Sequence, residues 1–109
     1  MAWLLLAGAI ISEVTATLAL RGIANGFRPL PALIVVVGYL VSFALMAVAL
    51  RTLNVGIVYA VWSGAGTAGT AAIAAALYDE RLNLTAVAGM VVIVAGVILL
   101  ASSGATTHE

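Results

Sequence analysis

Few side chains in this 109-residue chain can do chemistry, and one of them stands where a charge is costly. Glu13 is the sole charged residue between Ala2 and Leu20, inside the stretch AGAIISEVTATLALRG. An ionised acid at the centre of a bilayer is disfavoured by about 2.5–3.5 kcal/mol. Such a carboxyl must therefore hold a proton, a cation or a hydrogen-bonding neighbour. Proton and cation compete for the same two oxygens, and that competition is a mechanism of exchange. The alternative is a permanently protonated Glu13 that joins helices by a hydrogen bond. Other chemistry is poorly provided for. There is no cysteine, hence no disulfide, thiolate nucleophile or cysteine metal site. The single histidine, His108, lies in the polar tail SSGATTHE and is expected to be solvated. No second acid, base, nucleophile or metal cluster shares the apolar interior with Glu13, which argues against an enzyme and implies no cofactor or metal. Four arginines, no lysine and a net charge of zero leave no basic patch for nucleic acid.

The elements that must position Glu13 follow from composition. The chain is 65% hydrophobic and 7% charged, whereas soluble domains carry about a quarter charged residues. A helix crossing the hydrocarbon core needs about 20 apolar residues, and four runs meet that length. The expected fold is an all-α membrane protein with transmembrane helices at about 2–20, 30–50, 53–77 and 82–101, then a short polar tail at 103–109. Three comparable runs follow the first, which reads it as a span and not a cleaved leader. Connections this short make neighbouring helices antiparallel. At 1.5 Å per residue, Glu13 lies roughly 16 Å into a core about 30 Å thick. Loops one and three carry Arg21, Arg28 and Arg81 against Arg51 elsewhere, a thin bias that is also compatible with insertion in both orientations. Asn83-Leu84-Thr85 matches a glycosylation acceptor in form but abuts the membrane.

Residues on the face of Glu13 at helical spacing include Leu6, Ala9 and Thr17. The Thr17 hydroxyl has two candidate acceptors, the carboxyl and its own helix backbone. The second run presents Tyr39, Ser42 and Phe43 on one face, and the third presents Tyr59, Trp62, Ser63 and Gly66. A lipophilic cation held by one carboxylate and several ring faces is favourable, since desolvated cation–π contacts reach about 2 kcal/mol. The competing reading places these rings in an interfacial belt, as Trp3 suggests for itself. Gly64 and Gly66 serve either close packing or a hinge. Gly89 and Gly96 share one face of the fourth run, which has no charged group and reads as a packing or dimerisation helix. Four helices can hardly enclose a drug-sized cation and bury Glu13, so a homodimer is expected.

Several motifs resemble one family. Ala9-x-x-Ser12-Glu13-Val14 with Thr17 and Arg21 is similar to the first helix of small multidrug resistance transporters. So are Tyr39-x-x-Ser42-Phe43, the block Gly56-Ile-Val-Tyr59-Ala-Val-Trp62-Ser63-Gly64-Ala-Gly66, and Gly89 through Gly96. The resemblance implies a proton-coupled antiporter of the bacterial inner membrane, working as an antiparallel dual-topology homodimer. It implies that Glu13 binds protons and cationic substrate alternately, that Tyr39, Tyr59 and Trp62 line the pocket, and that the fourth helix forms much of the dimer contact. Ala16, with Trp62-Ser63-Gly64, resembles the branch exporting quaternary ammonium and aromatic cations; the other branch exports guanidinium compounds. Arg21 replaces a usual lysine, Asn54 a common proline and Val58 an alanine, and the last two adjoin the pocket helix. The readings carried forward are export of hydrophobic cations, guanidinium export, half of a heterodimer, and a non-transporting membrane subunit with a structural Glu13.

Overall fold

A computed structural model of the chain describes residues 1–107; the expectation for His108 lies outside them. Four helices run in order, α1 Ala2–Arg21, α2 Pro29–Ala49, α3 Val55–Leu77 and α4 Leu84–Ala101. Each is long and apolar enough to cross a membrane. The chain is a multi-pass, all-α membrane protein.

Local chemistry explains the helix ends. Arg28 is extended (φ −136°, ψ 125°), as a residue before proline prefers. Pro29 and Pro31 then occupy the first turn of α2, where no backbone donor is needed. α3 begins two residues later than position 53. Leu53 is 1% exposed and packs with Leu6, Ala49, Ile57, Val58 and Val61, so it belongs to the core beneath the loop. Asn83 caps α4, its side-chain oxygen accepting from the Ala86 amide at 2.8 Å. The tail does not stand free. The Asn54 amide donates to the Thr106 carbonyl at 2.8 Å, and its side chain donates to the Ala105 carbonyl at 2.7 Å.

α1 is central. α2 packs along one side of it, α3 along another, and α4 packs against α3. The α1–α2 crossing is close because Gly38 has no side chain: a Cβ there would lie 2.8 Å from the Ala16 Cβ. The α3–α4 crossing depends on Gly64 in the same way, with Val97 Cγ2 2.7 Å from the position of its missing Cβ. The chain measures 47 × 34 × 16 Å. A helix with side chains is about 10–12 Å across, so the shortest dimension has room for little more than one layer. No residue of α4 is buried, and open space surrounds Gly89 and Gly96.

Candidate functional site

Glu13 projects from α1 toward α3 and meets it at Gly66. A Cβ on Gly66 would lie 2.5 Å from Glu13 Oε2, so glycine is required for this approach. The other oxygen is committed. Thr17, four residues on and hence one turn along the same face, donates to Oε1 at 3.0 Å. The Thr17 hydroxyl also contacts the Tyr39 hydroxyl of α2 at 2.7 Å. A hydroxyl has one proton to give. With Thr17 donating to Glu13, Tyr39 must donate to Thr17, so a directed chain runs Tyr39 to Thr17 to Glu13 across two helices. Oε2 is buried and has no hydrogen-bond partner among the described residues.

The rings form a row beside this chain. Tyr39 stacks on Phe43 (centroids 6.5 Å), Phe43 meets Trp62 (5.9 Å), and Trp62 stacks on Tyr59 (6.2 Å). Tyr59 is 63% exposed and Phe43 51%, so the outer side of the row is open. Its inner side is fixed by Ser42. The Trp62 indole donates to the Ser42 hydroxyl at 3.1 Å, and Ser42 donates to the Ala9 carbonyl at 2.7 Å. That hydroxyl joins α1, α2 and α3.

The sequence-derived candidates thus separate by depth. Glu13, Thr17, Tyr39, Phe43, Tyr59 and Trp62 come together. Ser42, Ala9 and Leu6 lie behind them, all at or below 1% exposure, where they hold the wall in place. Ser63 returns its hydroxyl to the Tyr59 carbonyl at 2.6 Å. Gly66 faces Glu13, whereas Gly64 faces α4.

Two features escaped sequence reasoning. Thr70 Oγ1 is buried and without a partner among the described residues. Its signal was the spacing Tyr59, Ser63, Gly66, Thr70, which continues one helical stripe. The second is a clasp where α1 ends. Arg21 pairs with Glu80 at 3.2 Å and lies 4.4 Å from the Tyr78 ring centroid. Tyr78 in turn donates to the Leu18 carbonyl at 3.1 Å.

The geometry can hold a proton or a cation: one carboxyl oxygen is fixed, the other is free, and a row of ring faces opens alongside. Comparison with known proteins agrees with a transport role. Residues 1–93 match the sequence model of the family described as Small Multidrug Resistance protein. A multidrug transporter of Pseudomonas aeruginosa is 43% identical over 98 residues, covering 90% of this chain and 89% of that one. The quaternary ammonium compound-resistance protein QacE of Escherichia coli is 41% identical over 99 residues, with 90% and 89% covered. The multidrug resistance protein EbrB of Bacillus licheniformis is 43% identical over 98 residues, with 89% and 82% covered.

Proposed function

The chain belongs to the small multidrug resistance family, and from that premise we propose that it is a proton-coupled antiporter exporting hydrophobic and quaternary ammonium cations from the bacterial cell. Glu13 binds protons and substrate in turn. The observation that carries this reading is the state of its carboxyl, with Oε1 held by Thr17 and Oε2 buried and unpaired. No fixed cation shares the spans with it, because every arginine lies in a loop or at a helix end. A neutral site is reached with a proton on the carboxyl or with an organic cation beside it, and low dielectric disfavours both arriving together.

The aromatic row supplies the affinity for wide apolar cations. A ring face attracts a cation most when the pair is desolvated, and four rings in series offer more area than a small planar guanidinium can use. The open side of the row requires a cover. A second protomer in the inner membrane, inserted antiparallel, closes the site and brings two Glu13 carboxyls to one chamber. The thin arginine bias between the two membrane faces permits both orientations.

The test is transport. Purified protein in lipid vesicles should accumulate tetraphenylphosphonium when a proton gradient opposes the cation, and guanidinium should compete poorly. Uptake that ignores the proton gradient would end the proposal. Efficient displacement of tetraphenylphosphonium by guanidinium would reassign the substrate class.

A further inference from the structure

Glu13 Oε2 and Thr70 Oγ1 are both buried, and neither has a hydrogen-bond partner among the described residues. Helical spacing puts both on the side where α1 meets α3. Oε2 rests against Gly66, and Thr70 follows Gly66 by four residues, one turn further along the same face. The Cα–Cβ bond of a helical residue tilts toward the helix N-terminus, which leans the Thr70 side chain back over the turn that holds Gly66. Beyond Gly66 the two helices remain in register, with Val14 Cγ2 3.8 Å from the Cβ position of Gly69.

Two other hydroxyls on these helices bond the backbone one turn back. Thr15 donates to the Ile11 carbonyl at 2.8 Å and Ser63 to the Tyr59 carbonyl at 2.6 Å. Thr70 makes no such bond to Gly66. A hydroxyl left unpaired in an apolar interior is costly, and alanine or valine there would avoid the cost. An unpaired hydroxyl one turn from an unpaired carboxyl oxygen makes Thr70 the candidate donor to Glu13.

We propose that Thr70 is a positioning residue that donates a hydrogen bond to Oε2 of Glu13 once the carboxyl has lost its proton. The proposal rests on the reading of Glu13 as the exchange site. A protonated carboxyl keeps its proton on one oxygen, whereas the carboxylate is an acceptor at both. Thr17 already serves Oε1. Thr70 offers the second donor at the cost of a side-chain rotation, and the resulting pair of hydroxyls grips the carboxylate in the orientation that receives the cation. A hydrogen bond to the charged form favours that form, so Thr70 supports the carboxylate that pairs with the cation.

Few other groups can confuse the readout. Tyr39 reaches Glu13 through Thr17. α3 presents Tyr59 and no charged residue. α4 has no charged residue either, and Arg21 at the end of α1 is paired with Glu80.

The experiment measures tetraphenylphosphonium binding to the purified full chain across pH, for the wild type and for Thr70→Ser, Thr70→Ala and Thr70→Val. The serine variant keeps the donor and should keep the wild-type pH midpoint. The alanine and valine variants should bind with a midpoint higher by about one pH unit, the effect of losing one hydrogen bond to a charged group. Alanine is the best helix former, so it decides the matter where valine does not fold. An unchanged midpoint in the alanine variant overturns the proposal, including where stability alone has fallen. A wild-type protein whose cation binding ignores pH would instead remove the parent reading of Glu13, and the proposal with it.

Discussion

At Glu13 the two carboxyl oxygens have different surroundings, and the difference predicts which substitutions spare the fold. Glu13→Gln keeps an acceptor for Thr17 and the same volume against Gly66. It should fold and assemble as the wild type does, yet lose proton-driven uptake altogether in the vesicle assay. Tyr39→Phe removes the outermost donor of the chain that ends on Oε1. One neutral hydrogen bond contributes about 0.5–1.5 kcal/mol, so cation affinity should fall about 2- to 10-fold, measurable by equilibrium binding. The place of Glu13 is legible in the sequence because a lone acid in an apolar run must turn toward another helix, and the structure has it against α3 at Gly66. Thr17 was half legible: its spacing allowed either the carboxyl or its own backbone as acceptor, and the structure has it on the carboxyl. Thr70 was legible only as a further member of the Tyr59, Ser63 and Gly66 stripe. In a run of glycine and alanine a threonine looks like one more small packing residue, and only the structure shows its hydroxyl buried and unpaired.

Between elements, three glycines set how the helices meet. Gly66 admits the carboxyl, Gly38 admits Ala16, and Gly64 admits Val97. Gly66→Ala would place a methyl group against Oε2 and force the acid out of position. Cation affinity should drop on the order of tenfold, as expected when a well-packed contact is overfilled, while circular dichroism still reports four helices. Ser42→Ala should act differently. It leaves the Trp62 indole and the Ala9 carbonyl without their present partner, and interhelical hydrogen bonds in membranes are worth about 0.6–2 kcal/mol. Melting in detergent should show that loss, with a smaller effect on affinity. The four helices were readable from run length, because water-free hydrocarbon permits little else at that length. Depth within a helix face was not readable. Periodicity puts Leu6, Ala9 and Ser42 on the same sides as the site, but only the crossing geometry shows them behind the rings. The tail likewise pairs with Asn54 through backbone groups that leave no mark in side-chain type.

As a whole the chain is a thin plate with its ring row on an open face and an unburied outer helix, the shape that the proposed dimer would close. Gly96→Leu would fill open space on α4, so it should leave the single chain unchanged and weaken the proposed dimer, as cross-linking in lipid would report. In the proposed dimer two Glu13 carboxyls would share one chamber, and exclusive occupancy requires that an organic cation loaded there expel their protons. The most direct test follows from this. Tetraphenylphosphonium is added to purified protein in weakly buffered solution near neutral pH, and the protons released are counted by a pH indicator. The wild type should release protons in proportion to the cation bound, and Glu13→Gln should release none. Cation binding by the wild type with no proton release at any pH would contradict exclusive occupancy of the carboxyl, and with it the exchange mechanism.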